Sequence, residues 1–399
     1  MPRHIPDLVR QHDSWRYTKC INLQPSENIL SPAVRKILGS DMAGRYTLRS
    51  NEFIDNGGAP NSYGGTRFMD EVEAEGAEIA SRLFGAQTSL KPISGHIASL
   101  LLFASVCRKG DTVMSISSMD GGYDGYGSAF IPDIFSLKSI DLPFDRTRWN
   151  IDAEKAASAI RSNRPRLVIL GQSFILFPYD VKAIHDACSD AGSILAYDAS
   201  HVLGLVAGGV FQRPIQEGCD VLIGSTHKSF PGPQGGIFAT NDEAIWKSFH
   251  RNTTWRIIDN AHWNRIAALA QAMYEMKKNG RNYAHRIQMN SAELGKQLSD
   301  IGLRCRFPEL GYSKSHQLHL DPESVARTGT TFGGLSAKLE DNDIIVDTTG
   351  RIGTSEVSRL GMGRPEMKKI ASLIGEALQG RNVRAKANKL RRSFVIHYI

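Results

Sequence analysis

The chain has 399 residues, of which 41% are hydrophobic, enough for one large domain and a smaller one. No run reaches the roughly 20 apolar residues that cross a bilayer, and the first residues lack the apolar stretch of a signal peptide. The five cysteines form no Cys-x-x-Cys pair, which favours reduced thiols and argues against a zinc site. We therefore expect a cytoplasmic protein with no membrane partner and no metal.

The net charge of +7 is unevenly distributed along the chain. Residues 381–399 hold six Lys and Arg residues and no acidic residue, so the rest of the chain is nearly neutral. A basic tail of this kind can bind nucleic acid or anionic lipid, or it can be a solvated extension. We expect the solvated extension and no nucleic-acid partner.

Short apolar runs alternate with helical stretches through the middle of the chain. The helical stretches include residues 69–84, closed by Gly85, and residues 180–191, closed by Gly192. The apolar runs read as buried parallel strands at residues 112–116, 167–170, 194–197 and 221–223. This alternation predicts an α/β fold with a mostly parallel sheet flanked by helices.

The C-terminal third has a different pattern. A long helical stretch at residues 265–299 is followed by short strands at 315–320 and 343–346 and a helix at 364–378, typical of a smaller α+β domain. We expect the boundaries to give an N-terminal arm (1–45), a large domain (46–263), a long helix with the small domain (264–380) and the basic tail (381–399). The polar loop 47–62 is long enough to be functional.

Lys228 is the most informative residue of the chain. It follows the apolar run 221–223 and precedes a turn rich in glycine and proline, where a partly desolvated lysine can form a Schiff base. Asp198 ends the preceding apolar run, and a carboxylate there can pair with the ring nitrogen of pyridoxal phosphate. Alone, each residue is more often an ordinary surface lysine or a turn former. Their spacing suits one strand-helix-strand step, so both reach the same sheet edge.

With these motifs together, the chain resembles serine hydroxymethyltransferase and its relatives over residues 22–378. The motifs are Leu23-Gln-Pro-Ser-Glu-Asn28, Ser62-Tyr-Gly-Gly65, Ile93-Ser-Gly-His96, Asp198-Ala-Ser-His-Val-Leu-Gly204, Thr226-His-Lys-Ser-Phe-Pro-Gly-Pro-Gln-Gly-Gly236 and Arg351-Ile-Gly-Thr354. The resemblance implies a fold type I pyridoxal phosphate enzyme, with a seven-stranded sheet in the large domain and a smaller C-terminal domain.

The resemblance also implies roles around the cofactor. Lys228 would carry pyridoxal phosphate, Asp198 would pair with its ring nitrogen, and Arg351 would grip the substrate carboxylate, for which a two-pronged donor is suited. The cofactor phosphate would lie at a helix N-terminus. The further cofactor contacts would come from Ser94, Gly95, His96, Tyr123, Ser173, His201, Thr226, Gly235 and Gly236.

Catalytic assignments follow from the same resemblance. Glu27 would act as acid and base at the substrate hydroxyl, although alone it could equally be a helix-start residue. His227 would assist next to the lysine, and Tyr63 and Tyr46 would come from the neighbouring subunit. The Gly235-Gly236 turn would reach the partner's phosphate. The resemblance therefore implies a homodimer with shared active sites, and the arm 1–45 would contribute dimer contacts.

Four positions depart from the family pattern. Tyr123 falls where the family has a ring-stacking histidine, His96 replaces a small hydroxyl residue, and Gln234 replaces an arginine. The loop before Arg351, which helps hold folate in the family, is reduced to residues 341–350. The segment between Tyr46 and Tyr63 also carries an insertion. Use of tetrahydrofolate is therefore doubtful.

The resulting hypothesis is a pyridoxal phosphate enzyme that cleaves the Cα–Cβ bond of serine or another β-hydroxy-α-amino acid to give glycine, without folate. One alternative is a relative from specialised metabolism that performs transaldol, β-elimination or decarboxylation chemistry on an amino acid. The other is a noncatalytic dimer that binds partners or RNA. The presence of Lys228, Asp198 and Arg351 argues against the noncatalytic alternative.

Overall fold

The computed structural model describes residues 4–396. The chain divides into two compact units, a large unit of residues 30–281 and a small unit that combines the described parts of residues 1–29 and 282–399. Residues 4–29 therefore belong to the same unit as the C-terminal part of the chain, whereas the boundaries expected from the sequence lie at 45 and 263. Among the helices of residues 4–396, none is long and apolar enough to span a bilayer.

The strands of the described chain are short, and several, such as Leu167–Leu170, Val221–Ser225 and Gly236–Thr240, are buried along their whole length. They are β1 (Ile21–Asn22), β2 (Gln87–Ser89), β3 (Thr112–Ser115), β4 (Lys138–Asp141), β5 (Phe144–Asp145), β6 (Asn150–Ile151), β7 (Leu167–Leu170), β8 (Ile194–Asp198), β9 (Val221–Ser225), β10 (Gly236–Thr240), β11 (Gln317–His319), β12 (Ile344–Ile345) and β13 (Arg351–Gly353).

The α-helices make up most of the other regular structure of the described chain. They are α1 (Ile5–His12), α2 (Pro32–Leu38), α3 (Arg67–Phe84), α4 (Gly95–Val106), α5 (Ile131–Ile134), α6 (Ala153–Asn163), α7 (Val181–Ala191), α8 (Leu203–Ala207), α9 (Glu243–Thr253), α10 (Trp263–Asp300), α11 (Pro322–Ala326), α12 (Phe332–Glu340), α13 (Ser355–Arg359), α14 (Arg364–Leu378) and α15 (Arg384–Arg392).

The large unit is built on a seven-stranded sheet in the order β2-β10-β9-β8-β7-β3-β4. Strands β4, β3, β7, β8 and β9 are parallel, and β10 is antiparallel to both of its neighbours. The four predicted strands are thus confirmed as its parallel centre. Because parallel neighbours need crossover connections, helices such as α6 and α7 link them. The predicted α/β fold with a mostly parallel sheet is confirmed.

Local sequence explains these elements. All four residues of β7, Leu-Val-Ile-Leu, are buried, as expected for a central strand covered on both faces. Helix α7 begins where the Asp180 side chain accepts a hydrogen bond from the backbone N–H of Ala183 (3.1 Å), and it ends at Gly192, whose φ of 70° suits glycine. The side chains of α4 pack with those of β3, β7 and β9 into the core of the large unit.

The small unit packs α12, α14 and the N-terminal strand around its own apolar core. In it, β1 pairs in parallel with β12, and β11 pairs antiparallel with β13. The predicted solvated tail is wrong for residues 384–392, which form α15. Within that stretch Ala387 and Arg391 are buried, because Ala387 joins the core and the Arg391 guanidinium donates to the backbone carbonyls of Tyr17 and Phe394. The last predicted tail residues, 397–399, lie outside the described residues.

Candidate active site

The large unit holds a cavity at the carboxyl edge of its parallel strands. In open α/β sheets this edge is where ligands bind, since strand ends and helix N-termini converge there. Asp198 ends β8 and Ser225 ends β9, so both side chains reach the cavity. The lining residues are Gly95, His96, Ser99, Tyr123, Gln172, Ser173, Asp198, Ser200, His201, Ser225 and Lys228.

Lys228 is positioned by a closed loop that follows β9. The loop is fixed where the backbone N–H of Gly232 donates to the Thr226 carbonyl (2.8 Å) and the Thr226 N–H donates to the Gly235 carbonyl (3.0 Å). The Thr226 hydroxyl donates to the Pro233 carbonyl (2.7 Å). Lys228 is half-buried and lines the same cavity as Asp198. The predicted meeting of this lysine and this carboxylate at one sheet edge therefore holds in the structure.

Asp198 is held at both of its oxygens. Its Oδ2 accepts a hydrogen bond from the hydroxyl of Tyr126 (2.7 Å), and its Oδ1 accepts one from the backbone N–H of Ser200 (2.9 Å). Gly171 makes this position possible, because a Cβ there would lie 2.7 Å from the Asp198 Cβ. The aspartate is 9% exposed and lines the cavity.

The N-terminus of α4 opens onto the cavity. The Ser94 hydroxyl caps this helix by accepting a hydrogen bond from the backbone N–H of Ile97 (3.1 Å). The first-turn N–H groups of Gly95 and His96 can then donate hydrogen bonds to an anion. A Cβ on Gly95 would lie 2.1 Å from the Ser225 hydroxyl, so only glycine fits between the helix and β9. Gly95 and His96, which the sequence predicts as phosphate contacts, line this cavity.

Tyr123 forms one wall of the cavity together with His96. The Tyr123 hydroxyl lies 2.9 Å from Nδ1 of His96. Burial, followed by the negative charges of Asp198 and Asp124, raises the pKa of Tyr123 above its ordinary value, so the phenol stays protonated. Two of the positions at which the sequence departs from the family pattern, Tyr123 and His96, therefore interact directly with each other.

The remaining cavity residues divide into expected and unexpected ones. His201, which is 4% exposed, and Ser173 line the cavity as the sequence predicts. Sequence reasoning missed the others: Ser99, Gln172, Ser200 and Ser225 on the wall, and Tyr126 behind Asp198. A signal was present only for Tyr126, which repeats Tyr123 after one turn in the stretch 120–127.

Other predicted residues of the loop do not line the cavity. The Thr226 hydroxyl is used inside the loop, and His227 is half-buried with its Nδ1 lacking a hydrogen-bond partner in the described chain. Burial and the neighbouring Lys228 lower the pKa of His227 to about 4, so the ring is neutral near pH 7. Gly235 and Gly236 are buried in their own chain, where the Gly236 N–H donates to the Pro92 carbonyl (2.9 Å). The expectation that this turn reaches a partner's phosphate stays a prediction.

Tyr46 and Tyr63 lie on the surface of the large unit. They are 52% and 46% exposed, and their ring centroids are 5.5 Å apart. Neither lines the cavity of Lys228 within the same chain. The nearby Phe53 and Phe68 are also exposed, so this stretch presents several aromatic rings to solvent.

The predicted carboxylate-binding residue, Arg351, belongs to the small unit. Its Nε donates to Oδ2 of Asp347 (2.6 Å), and its backbone N–H donates to the other oxygen, Oδ1 (2.9 Å). Asp347 also accepts from the backbone N–H and the hydroxyl of Thr349. Both charged side chains are largely buried, at 12% and 6% exposure. The shortened segment before Arg351 therefore supplies the aspartate that orients it.

Glu27 lies in a second charged group of the small unit. Its Oε2 accepts hydrogen bonds from Arg16 and from Nδ2 of Asn22 (3.2 Å). The same Asn22 nitrogen also donates to Oε2 of Glu356 (2.8 Å), so one amide bridges two carboxylates. Burial raises the pKa of Glu356 to about 7, although its hydrogen bond with Asn22 and the charges of Arg391 and Arg16 act in the opposite direction. Sequence reasoning missed Glu356.

The large-unit cavity fits pyridoxal phosphate. A helix N-terminus with a glycine at its first turn suits the phosphate, a buried carboxylate at the end of β8 suits the ring nitrogen, and a half-buried lysine suits the aldehyde. Residues from all three features line one cavity. Fold and site together define a pyridoxal phosphate enzyme of fold type I.

Comparison with known proteins defines the class further. A family model described as serine hydroxymethyltransferase matches residues 3–374. The serine hydroxymethyltransferase of Methanocella arvoryzae is 38% identical over 389 residues, covering 93% of this chain and 88% of the relative. That of Methanothermobacter marburgensis is 34% identical and covers 99% and 94%. The chain belongs to the serine hydroxymethyltransferase family, and its cofactor is pyridoxal phosphate.

A solved structure agrees with the fold. The crystal structure of L-threonine transaldolase from Pseudomonas fluorescens, in its internal aldimine state, superposes with a TM-score of 0.86 at 24% identity. The match covers 98% of this chain and 91% of that chain. At this identity the likeness establishes the fold, and the chemistry has to be argued from the residues of this chain.

Proposed function

We propose that the protein cleaves the Cα–Cβ bond of a β-hydroxy-α-amino acid, giving glycine and an aldehyde, and that it needs no folate. The observation that carries this proposal is the cavity in which Lys228 and Asp198 meet beside the N-terminus of α4. The relatives' name, serine hydroxymethyltransferase, supports serine or a close analogue as the substrate.

Lys228 would hold the cofactor and release it to the amino group of the substrate. Bound pyridoxal phosphate supplies an electron sink for the pair left at Cα when the bond breaks. Asp198 would keep the ring nitrogen protonated, because an ionised carboxylate beside it stabilises the positive charge. Tyr123 would pack against the ring, and its phenol, held protonated and in contact with His96, would contribute no base.

Arg351 would bind the substrate carboxylate. Asp347 holds the guanidinium through Nε, and a planar guanidinium is a two-pronged donor that suits a carboxylate. This contact would set the substrate so that the bond to Cβ is the one that breaks. Orientation of the reacting group is worth a large share of the barrier in such enzymes.

Glu27 would take the proton from the β-hydroxyl as the Cα–Cβ bond breaks and the aldehyde forms. A proton added at Cα then gives glycine. The carbon fragment leaves as the free aldehyde, so the reaction needs no folate to accept it. Arg16 and Asn22 both contact Oε2 of Glu27, which fixes the direction of the carboxylate. A held carboxylate within reach of the hydroxyl is what general base catalysis requires.

The interactions of residues 341–350 support folate independence. Asp343 accepts from the indole of Trp15 (2.8 Å) and from Asn388 (2.8 Å), and Asp347 binds Arg351. Asn342 accepts the backbone N–H of Val383 (2.7 Å). These side chains of the shortened segment are engaged within the small unit, so recruiting them for a pterin would break existing hydrogen bonds.

We further propose a cytoplasmic homodimer with shared active sites. The exposed pair Tyr46 and Tyr63 supports it, since two neighbouring aromatic rings on a surface favour burial by a partner. If Tyr63 serves the partner's cavity, mixing inactive Lys228→Ala with inactive Tyr63→Phe restores part of the activity through hybrid dimers. Hybrids that form, as shown by differently tagged chains, and stay inactive would contradict this arrangement.

The reaction is tested by product analysis. Glycine release is measured from L-serine, L-threonine and β-phenylserine, each with and without tetrahydrofolate, and pyruvate and carbon dioxide are measured in parallel. We expect glycine and the matching aldehyde without folate. A serine reaction that needs tetrahydrofolate and far outpaces the others would contradict folate independence. Pyruvate, carbon dioxide or a new β-hydroxy amino acid as the main product would instead identify elimination, decarboxylation or transaldol chemistry.

A further inference from the structure

Tyr126 is a fully buried residue that contacts the predicted partner of the cofactor ring. It lies in the turn Asp124–Tyr126, is 1% exposed, and its hydroxyl is 2.7 Å from Oδ2 of Asp198. Its ring contacts two others. The Phe103 ring stacks on it with 6.0 Å between ring centroids, and the Tyr123 ring packs edge-on with 5.2 Å between centroids. The hydroxyl therefore has a fixed place relative to the carboxylate.

The proton positions in this group follow from chemistry. Burial, and next the negative charge of Asp198, raise the pKa of Tyr126 well above its ordinary value, so the phenol carries its proton. A carboxylate is the strongest acceptor nearby, so Tyr126 donates to Asp198. Ser99, whose Oγ is 3.0 Å from the phenol oxygen, can donate to Tyr126 in turn.

Ser99 lies on α4, and its Oγ is also 3.2 Å from the carbonyl of Gly95 in the first turn of that helix. The Ser99 hydroxyl has one proton, so it donates either to the Gly95 carbonyl or to Tyr126. When it donates to Tyr126, the hydrogen bonds run from Ser99 to Tyr126 to Asp198 along one wall of the cofactor cavity. The same helix presents its N-terminus where the phosphate is expected.

We propose that Tyr126 is a positioning residue that fixes the Asp198 carboxylate and lowers its basicity, so that the shared proton stays on the ring nitrogen of the cofactor. A hydrogen bond donated to a carboxylate stabilises its ionised form. Without that bond, Asp198 competes more strongly for the proton, and the ring becomes a weaker electron sink. The inference rests on the cofactor and on the position of Asp198, and it does not depend on the substrate or on folate.

The test compares two cofactors in two variants. Tyr126→Phe removes only the hydroxyl, and Tyr197→Phe is the matched control, since its buried hydroxyl bonds Gln212 (2.9 Å) instead of Asp198. Apoenzyme is titrated with pyridoxal phosphate and with its 1-deaza analogue, which has a carbon in place of the ring nitrogen. We expect Tyr126→Phe to weaken binding of pyridoxal phosphate about tenfold and binding of the analogue less than about twofold.

A spectroscopic readout accompanies the binding measurement. The pH midpoint of the visible absorbance of bound pyridoxal phosphate should shift upward in Tyr126→Phe and stay unchanged in Tyr197→Phe, because a less electron-poor ring holds the neighbouring proton more tightly. Equal weakening for both cofactors would make Tyr126 a packing residue and overturn the proposal. Unchanged affinity and midpoint would overturn it as well.

Ser99→Ala keeps the proposal testable if Tyr126→Phe fails to fold. This variant leaves Tyr126 in place and removes the hydroxyl that supports it, so we expect a smaller effect of the same kind, about threefold on pyridoxal phosphate. The analogue should again be nearly unaffected. An equal loss for both cofactors, or a midpoint that does not move, would contradict the proposed series of hydrogen bonds.

Discussion

The cofactor cavity of the large unit and the charged groups of the small unit are built in different ways. In the large unit, Asp198 ends one strand, Lys228 follows its neighbour and α4 starts beside them, so the backbone of the sheet places the site, and Tyr126 then fixes the Asp198 carboxylate. In the small unit, Arg351 and Glu27 are oriented by other side chains, Asp347 in one case and Arg16 with Asn22 in the other.

This difference has consequences for substitutions. A site determined by strand ends keeps its geometry when one side chain is changed, so a variant there reports the chemistry that was removed. A site determined by ion pairs and hydrogen bonds changes its geometry when a supporting residue is changed. Variants of the large unit should therefore affect turnover, and variants of supporting residues in the small unit should affect substrate affinity and pH dependence.

The largest effect is expected for Lys228→Ala. It removes the covalent attachment itself, so turnover should fall by several orders of magnitude while the fold, measured by thermal unfolding, changes little. Borohydride treatment of the wild-type protein should fix pyridoxal phosphate on the peptide that contains Lys228. Lys247→Ala, at an exposed lysine of α9, is the control and should keep both label and activity. Label on another lysine would contradict the assignment of the cavity.

Asp198→Asn should come next. The amide keeps the size of the side chain and can still accept the Tyr126 hydrogen bond, but it carries no charge to stabilise a protonated ring. We expect turnover to fall by a factor on the order of 100 to 1000, with the cofactor still bound. Steady-state kinetics and absorbance of the bound cofactor provide the measurement. Turnover within a fewfold of wild type would show that the ring nitrogen needs no anionic partner here.

The parallel sheet was predictable from the sequence because its central strands are continuous apolar runs. Strands β7 and β9 lie where such runs end before Gly171 and before the loop of Lys228, and this periodicity is local. The cavity followed from the same logic, since residues at consecutive strand ends meet at one edge. Helix α14 coincides with the stretch 364–378 for similar reasons, as Pro365 and Glu366 mark its first turn.

The supporting contacts were not predictable, because they join residues that are distant in the sequence. Tyr126 donates a hydrogen bond to Asp198, which is 72 positions away in the sequence. Asn22 donates one to Glu356, at a separation of 334 positions. Nothing in the local pattern marks such pairs. The basic stretch at 384–392 shows the same limit. Its charge predicted a solvated tail, whereas Arg391 is buried, because the backbone carbonyl groups of Tyr17 and Phe394 accept its hydrogen bonds.

Asp347→Asn is expected to have a moderate effect, mainly on substrate binding. Loss of the charged contact to Nε loosens the Arg351 guanidinium, so KM for the amino acid should rise about tenfold while kcat changes less. Asp321→Asn is the matched control, because Asp321 pairs with Arg304 at a more exposed position of the same unit. A fall in kcat at constant KM, measured with saturating cofactor, would place Asp347 in another role.

The smallest effect, on stability rather than turnover, is expected for Glu356→Gln. The pKa of Glu356 is raised from an ordinary 4.5 to about 7 in the folded protein. Between these two pH values the carboxyl group is therefore protonated in the folded state and ionised in the unfolded state. Ionising Glu356 therefore costs the wild-type protein stability as the pH rises through this window, and the penalty remains above pH 7. Glutamine carries no charge and has no such penalty.

Between pH 5 and pH 8, the free energy of unfolding of Glu356→Gln should therefore increase relative to that of the wild type by up to about 3 kcal/mol. At higher pH the difference between the two proteins should be nearly constant. Denaturant titration at several pH values measures it, and Glu323→Gln, at a side chain that is 79% exposed, is the control and should give a flat difference. A flat difference for Glu356→Gln would mean that Arg16, Arg391 and Asn22 together hold this carboxylate in its charged form.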